Sequence, residues 1–480
     1  MLLLISILFL VGYLFIAFEH PLKIDKAASA LITGIVLWVL YMVVAASVVP
    51  DLDSAEFAAF LAQTPGLDGL SVREQVTRYV QDVQIVRSLG ETSEILFFLI
   101  GAMTIVELVD VHGGFDIITS RITTRNKRRL LWIIGILTFF MSAVLDNLTT
   151  AIVMITLLHK IVANYKERWV FGAIIIIAAN SGGAWSPIGD VTTIMLWVRG
   201  NVTTASLIPQ LILPCIVSFV VPTLIAVRWL HGDVTPAAVE KVSVKGGEVS
   251  YYTSVSSRQR VSILVLGILC LVSVPVFKVL THLPPFMGIL LALGVMWVYT
   301  ELMYKRKKPK PGQEHPRIPY VLRRIDTPTI LFFLGILTAV AALQASGVLN
   351  NVSIWLDEKI HDVYAINVLV GFLSSVVDNV PLVAGSIATY PVVEPGTLAA
   401  TADPAYAAHF MQDGAFWIFM AYCAGVGGSM LIIGSAAGVV VMGLEKINFM
   451  WYLRHIAWIA MVGYLSGAAV YIAQAMLFFD

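Results

Sequence analysis

Along its 480 residues this chain repeatedly runs apolar for about the 20 residues that a helix needs to cross the roughly 30 Å hydrocarbon core of a bilayer. Uninterrupted stretches fall near 1–18, 27–49, 93–111, 170–199, 206–229, 260–280, 285–303, 329–348, 411–442 and 452–478. Two more, 130–163 and 364–392, are each broken by an Asp-Asn pair. Hydrocarbon offers a backbone no water to bond with, so such stretches must be helical. Composition agrees: 58% of residues are hydrophobic and 13% charged, against about 45–50% and about 25% in soluble domains. The fold class expected is an all-α polytopic membrane protein, with the lipid bilayer as its surroundings. Net charge is zero, which leaves no basic face for nucleic acid, and none is expected as a partner. Cys215, Cys270 and Cys423 lie far apart inside apolar stretches and read as small core hydrophobes. Stretch 1–18 has neither a basic leading region nor a small-residue cleavage site and reads as a retained helix.

Basic loops orient the spans, because short Lys/Arg-rich loops stay in the cytoplasm. Arg121, Arg125, Lys127, Arg128 and Arg129 mark one such loop, and the run from Lys305 to Arg324 marks another. The polar linker 231–259 joins them, which leaves the mainly acidic segment 50–92 outside as short surface helices. Stretch 130–163 has positive charge on both flanks, so it must enter from the cytoplasm and return, turning near Asp146-Asn147. Its returning leg, 151–163, reaches only about 20 Å, short of the hydrocarbon core. A re-entrant hairpin is therefore expected. Stretch 364–392, in a region with no Lys or Arg from 360 to 444, enters from outside and turns at Asp378-Asn379.

The two halves carry the same signals in the same order. Ile95–Leu99 (ILFFL) is answered by Ile330–Leu334; Ser142 through Asp146-Asn147 by Ser374 through Asp378-Asn379. Gly182-Gly183 with Ile188-Gly189 is answered by Gly427-Gly428 with Ile433-Gly434. On the topology above the repeats are inverted, each with five transmembrane helices and one re-entrant hairpin. The Gly/Pro-rich segments Asn180–Thr193 and Gly425–Gly438 make helices discontinuous near the midplane. Inverted repeats with broken helices are the build of secondary transporters, whose sites lie between the repeats.

The hairpin tips and helix breaks bring Asp146, Asp190 and Asp378 to membrane depth, where a carboxylate is a functional candidate. Carboxylates, amides, hydroxyls and free carbonyls are hard oxygen ligands suited to small hard cations. No Arg or Lys stands beside them to pair an anion. A cation and protons would compete for the same carboxylates, which is the physical core of a cation/proton exchanger. No bound cofactor is needed, only transported ions. Asp146 and Asp378 with Asn147 and Asn379 are the expected cation ligands, and whether Asp190 binds the ion or holds the broken helix stays open.

This constellation, the duplicated SxxxDN and the NSGGAWSPIGDVTT segment, resembles the NhaD-type sodium/proton antiporters of the ion transporter superfamily, over residues 93 to 480. The resemblance implies exchange of cytoplasmic Na+ or Li+ for external H+, in support of pH homeostasis, in the plasma (bacterial inner) membrane. It also implies a homodimer whose transport domain moves against a scaffold by elevator-type alternating access. Residues 1–118 would be scaffold of the first repeat, 119–230 the first transport half (tip 146–150, broken helix 170–199) and 231–259 a cytoplasmic linker. Residues 260–349 would be scaffold of the second repeat and 350–480 the second transport half (tip 378–381, broken helix 411–442). The positions matching the family's polar motifs are Ser142, Asp146, Asn147, Thr149, Asn180, Asp190, Thr192, Thr193, Ser374, Asp378, Asn379 and Ser429. Related dicarboxylate carriers have Ser-Asn-Thr at both tips. Here Asp replaces each Ser, and Pro381 follows the second tip, which argues against carboxylate substrates.

Two other readings compete. An arsenite or organic-anion carrier of the same superfamily would tolerate loss of the tip aspartates. An intramembrane aspartyl protease is suggested by Pro187-Ile-Gly-Asp190, but the glycine spacing does not match and a protease needs no inverted duplicate. Glu107 and Asp110, at the cytoplasmic end of their helix, read as snorkelling to the interface. The histidines, such as His112, His159 and His231, read as solvated, and Trp451 and Tyr452 as interface anchors.

Overall fold

The computed structural model describes residues 2–17, 22–52, 54–64, 66–67, 69–119, 124–234, 256–305, 317–376, 379–401 and 403–479. Asp378, most of the linker 231–259 and part of the 304–324 loop lie outside the described residues.

Helices follow the apolar stretches. The first half holds α1 (Leu2–Ala17), α2 (Lys26–Leu52), α3 (Val86–Val111), α4 (Lys127–Leu145), α5 (Asn147–Ile161), α6 (Tyr165–Ala184), α7 (Val191–Val198) and α8 (Thr204–Ala226). The second holds α9 (Ser257–Thr281), α10 (Pro285–Tyr304), α11 (Thr327–Ala345), α12 (Val363–Val376), α13 (Asn379–Thr389), α14 (Ala415–Gly427), α15 (Ala436–Glu445) and α16 (Ala457–Gln474). Short helices Ser54–Gln63 and Val72–Tyr79 occupy the acidic segment. Among the described residues, seven helices are long and apolar enough to cross a membrane. Both Asp-Asn stretches are helix pairs, as expected. The return leg α5 has 15 residues, about 22 Å, whereas α4 has 19, about 28 Å, enough to cross by length.

The chain divides into two compact units. The smaller gathers 1–96, 326–362 and 380–392. Within it α2 packs against α1 and α11. A Cβ on Gly34 would lie 2.7 Å from the Gly335 carbonyl oxygen, so glycine at the crossing lets the two backbones touch.

The larger unit gathers 97–325, 363–379 and 393–480. Its core is α6 and α14, whose residues Val170–Ala184 and Phe416–Gly427 are buried without a gap. A helix apolar on every side must be enclosed. Helices α4, α5, α8 and α15 pack round α6, while α12, α8 and α16 pack on α14. Outward, Leu269, Val276, Leu280, Leu291, Val298 and Leu302 are exposed, a surface suited to lipid. All three cysteines are free and buried.

Several polar residues are placed otherwise than their sequence positions suggest. His112 is fully buried, not solvated: its Nδ1 lies 2.7 Å from the Leu108 carbonyl and its Nε2 2.7 Å from the Tyr304 hydroxyl. Gly113, with φ 68° and its amide donating to the Asp110 carbonyl at 2.7 Å, turns the chain from α3 into the short helix Gly114–Thr119. His159 is exposed, as expected, and its Nε2 also reaches the buried Glu445 at 2.7 Å. Tyr452 is no interface anchor but fully buried, its hydroxyl donating to the Ser429 carbonyl at 2.8 Å. Glu107 accepts from Arg324 Nε at 2.5 Å, in an exposed ion pair.

Candidate functional site

The site is built on the two broken helices of the larger unit. Helix α6 stops at Ala184, residues 185–190 form turns and bends, and α7 starts at Val191 with Asp190 as its N-cap. In the second half α14 stops at Gly427 and α15 starts at Ala436 with Ser435 as its N-cap. Glycine makes each break possible by admitting a neighbouring backbone. A Cβ on Gly182 would lie 2.1 Å from the Phe139 carbonyl oxygen in α4, and one on Gly427 would lie 2.3 Å from that of Gly371 in α12. The first serine of each SxxxDN run secures the same docking. Ser142 donates to the Ala179 carbonyl at 2.6 Å and Ser374 to the Ala424 carbonyl at 2.7 Å.

These contacts carry the tip residues to Asp190, which is 1% exposed. Its Oδ1 accepts from the Thr192 amide and hydroxyl, both at 3.0 Å. Its Oδ2 accepts from Asn147 Nδ2 at 2.7 Å. Asn379 Nδ2 stands 3.5 Å and 3.4 Å from the two oxygens. Thr193 donates its hydroxyl to the Asp190 carbonyl at 2.8 Å. Two equivalent asparagines, one from each Asp-Asn pair, thus converge on one carboxylate.

Asn180 extends the cluster into the second half. Its Oδ1 accepts from Asn147 Nδ2 at 3.2 Å, and its Nδ2 donates to Ser429 Oγ at 3.0 Å and Ser435 Oγ at 2.9 Å. All these side chains are buried. Asp146 is only half-buried and turns toward its own hairpin. Its oxygens accept from the Thr149 amide at 2.7 Å and the Thr149 hydroxyl at 2.8 Å, capping α5. Its φ of 96° lies in the region that favours glycine, so the tip holds backbone strain.

The structure therefore gathers Asn147, Asn180, Asp190, Asn379 and Ser429, with Thr192 and Thr193 holding the start of α7. Ser142 and Ser374 dock the hairpin arms, and Asp146 bonds Thr149. Ser435 is the residue that reading the sequence missed. The signal was present: Ile433-Gly434-Ser435 stands where Ile188-Gly189-Asp190 stands in the first half, with hydroxyl in place of carboxylate. Chemically the cluster offers one buried carboxylate ringed by amides and hydroxyls. An amide that donates to a carboxylate can, turned over, present its oxygen to a cation.

The family model described as Citrate transporter, CitMHS, matches residues 13–411. Over 475 residues the chain is 40% identical to "Sodium/proton antiporter 1" of Arabidopsis thaliana, covering 99% of this chain and 73% of that protein. It is 38% identical to "Sodium/proton antiporter 2" of the same plant, covering 98% of each. It is 30% identical to "Na(+)/H(+) antiporter NhaD" of Vibrio parahaemolyticus, covering 82% of this chain and 92% of that one.

Proposed function

The chain belongs to the CitMHS citrate-transporter family and is an integral membrane transporter, not an enzyme; from that premise we propose that it exchanges cytoplasmic Na+ or Li+ for external H+. The observation that carries this reading is the convergence of Asn147 and Asn379 on the buried Asp190. One carboxylate in a buried cluster is neutralised by a proton or by a cation, and each excludes the other. Amide and hydroxyl oxygens of Asn147, Asn180, Asn379, Ser429 and Ser435 would complete a hard-oxygen shell. Asp146 is the carboxylate of the first tip, and Asp378 is its counterpart by sequence.

The relatives named sodium/proton antiporters support the exchange of these two ions. The duplicated docking bonds of Ser142 and Ser374 support a pair of inverted repeats presenting the cluster to either side by elevator motion. Work in the plasma membrane, as a homodimer serving pH homeostasis, rests on kinship with the NhaD type. The family description itself favours a second reading, an organic-anion carrier. Against it, segments 142–149, 180–193, 374–381 and 425–438 contain no Lys or Arg to pair an anion.

Everted membrane vesicles test the choice. Adding Na+ should collapse a preformed pH gradient, and the Asp190→Asn variant should lose that response while its protein level holds. Li+ and K+ in parallel set selectivity. Labelled citrate uptake with no sodium-driven proton release would favour the carrier of organic anions instead.

A further inference from the structure

Lys278 is a cation near the end of an otherwise apolar stretch of α9, and the cluster at Asp190 does not touch it. Its ammonium donates to the Trp197 carbonyl at 2.6 Å and stands 4.8 Å from the centroid of the Trp197 indole. Trp197 is 1% exposed and meets Phe98 edge-on at 6.1 Å. It is the next-to-last residue of α7, the helix that Asp190 opens.

Helix α7 has eight residues, about 12 Å. So short a helix has no stability of its own, and its direction is set by what grips its two ends. At the N-terminus the Asp190 carboxylate takes the Thr192 amide. At the C-terminus Lys278 brings a positive charge to the Trp197 carbonyl, which also takes the Gly200 amide at 3.2 Å. Both charges suit the helix dipole. The indole under the ammonium gives the grip a second point of contact, so the helix end is held against swinging as well as sliding. Any tilt of α7 about its Trp197 end displaces Asp190 from Asn147 and Asn379.

We propose that Lys278 is a positioning residue of the ion site, which through α7 sets Asp190 in register with the two tip asparagines. The proposal rests on the reading of Asp190 as the carboxylate that ions share. It assigns to α9 a task in affinity: with the far end of α7 released, Asp190 samples positions that the two amides do not reach.

The test is a sodium titration of exchange in everted vesicles. Lys278→Met should raise the apparent KM for Na+ roughly tenfold, the scale on which a cation at a partly buried helix end acts, and leave the maximal rate nearly unchanged. Lys278→Arg, which keeps both a donor and a cation over the indole, should return KM to within about twofold of the parent. A parent-like KM in Lys278→Met overturns the proposal. So does a fall in rate alone, a defect that Arg does not repair, or failure of Lys278→Met to reach the membrane, which would make the lysine a folding residue. Asp190→Asn in the same assay separates the two claims. If it exchanges normally, the site reading falls. If it is dead while Lys278→Met keeps the parental KM, the positioning role alone falls.

Discussion

Asn180 Nδ2 donates to Ser435 Oγ at 2.9 Å, so the last turns of one broken helix are bonded to the N-cap of the other's second segment. The same amide serves Ser429 on the near side of that second break. Through Asn147 the bond chain continues to Asp190. A single asparagine therefore ties the two breaks to the buried Asp190 carboxylate, and the asymmetry of the cluster follows: carboxylate at 190, hydroxyl at 435.

A double-mutant cycle reads that tie. Asn180→Ala removes three hydrogen bonds in a buried network and should reduce sodium-driven exchange in vesicles at least about tenfold, each such bond contributing about 1 kcal/mol. Ser435→Ala should cost less, and the double variant should behave like Asn180→Ala alone. Additive losses would mean that the two side chains act separately.

Gly182 and Gly427 should tolerate nothing larger. A methyl at either would overlap a backbone carbonyl, at 2.1 Å and 2.3 Å, that cannot rotate away. Gly182→Ala and Gly427→Ala are expected to give unstable, aggregating protein on detergent size exclusion. The contrast is Gly294→Ala in α10, where a Cβ meets nothing within 4 Å. That change should stabilise by about 0.5–1 kcal/mol through helix propensity.

Glu445 is a structural charge with a measurable signature. Its side chain is fully buried and accepts from Arg168 Nε at 2.9 Å, with His159 Nε2 at 2.7 Å on the other oxygen. Glu445→Gln leaves Arg168 without its counter-charge and should cost roughly 3 kcal/mol, seen as a lowered melting temperature in detergent. Combining it with Arg168→Gln should recover part of the loss; a double variant worse than the sum would contradict the pairing.

His112 makes stability depend on acid. Burial pushes its imidazole down to about 4, from about 6.5 in an unfolded chain. Between those values the unfolded chain binds a proton that the folded one does not, so stability falls as pH drops from about 6.5 to 4, by roughly 3 kcal/mol in all. Above that window the contribution is complete. Melting temperatures measured from pH 8 to 4.5 should slope less in His112→Leu than in the parent, although the variant is weaker overall for losing the hydrogen bond to the Tyr304 hydroxyl. Parallel slopes would place the acid sensitivity elsewhere.

What was legible in the sequence is what neighbours along the chain decide. Hydropathy located helices such as α9 and α10 to within a few residues, since lipid and backbone bonding demand long apolar runs. Asp-Asn at 146–147 marked a turn because Asp caps the helix that follows it. Gly182-Gly183 and Pro187 marked a break because neither residue type keeps a helix intact. The repeated motifs told which residues of the two halves correspond.

The rest lay in contacts between distant residues. Nothing local distinguishes Asp146, which bonds Thr149 three residues on, from Asp190, which receives amides from positions 147 and 379. His112 reads as a loop histidine until Tyr304 covers it, and Tyr452 as a membrane-edge tyrosine until it reaches Ser429. By itself the sequence determined the helices, their breaks and the chemistry of the tips, because those depend on side-chain polarity and backbone freedom at successive residues. Only the tertiary structure decided which carboxylate the tips share, because that choice is made by helices packing around α6 and α14, and packing brings together groups that no spacing along the chain relates.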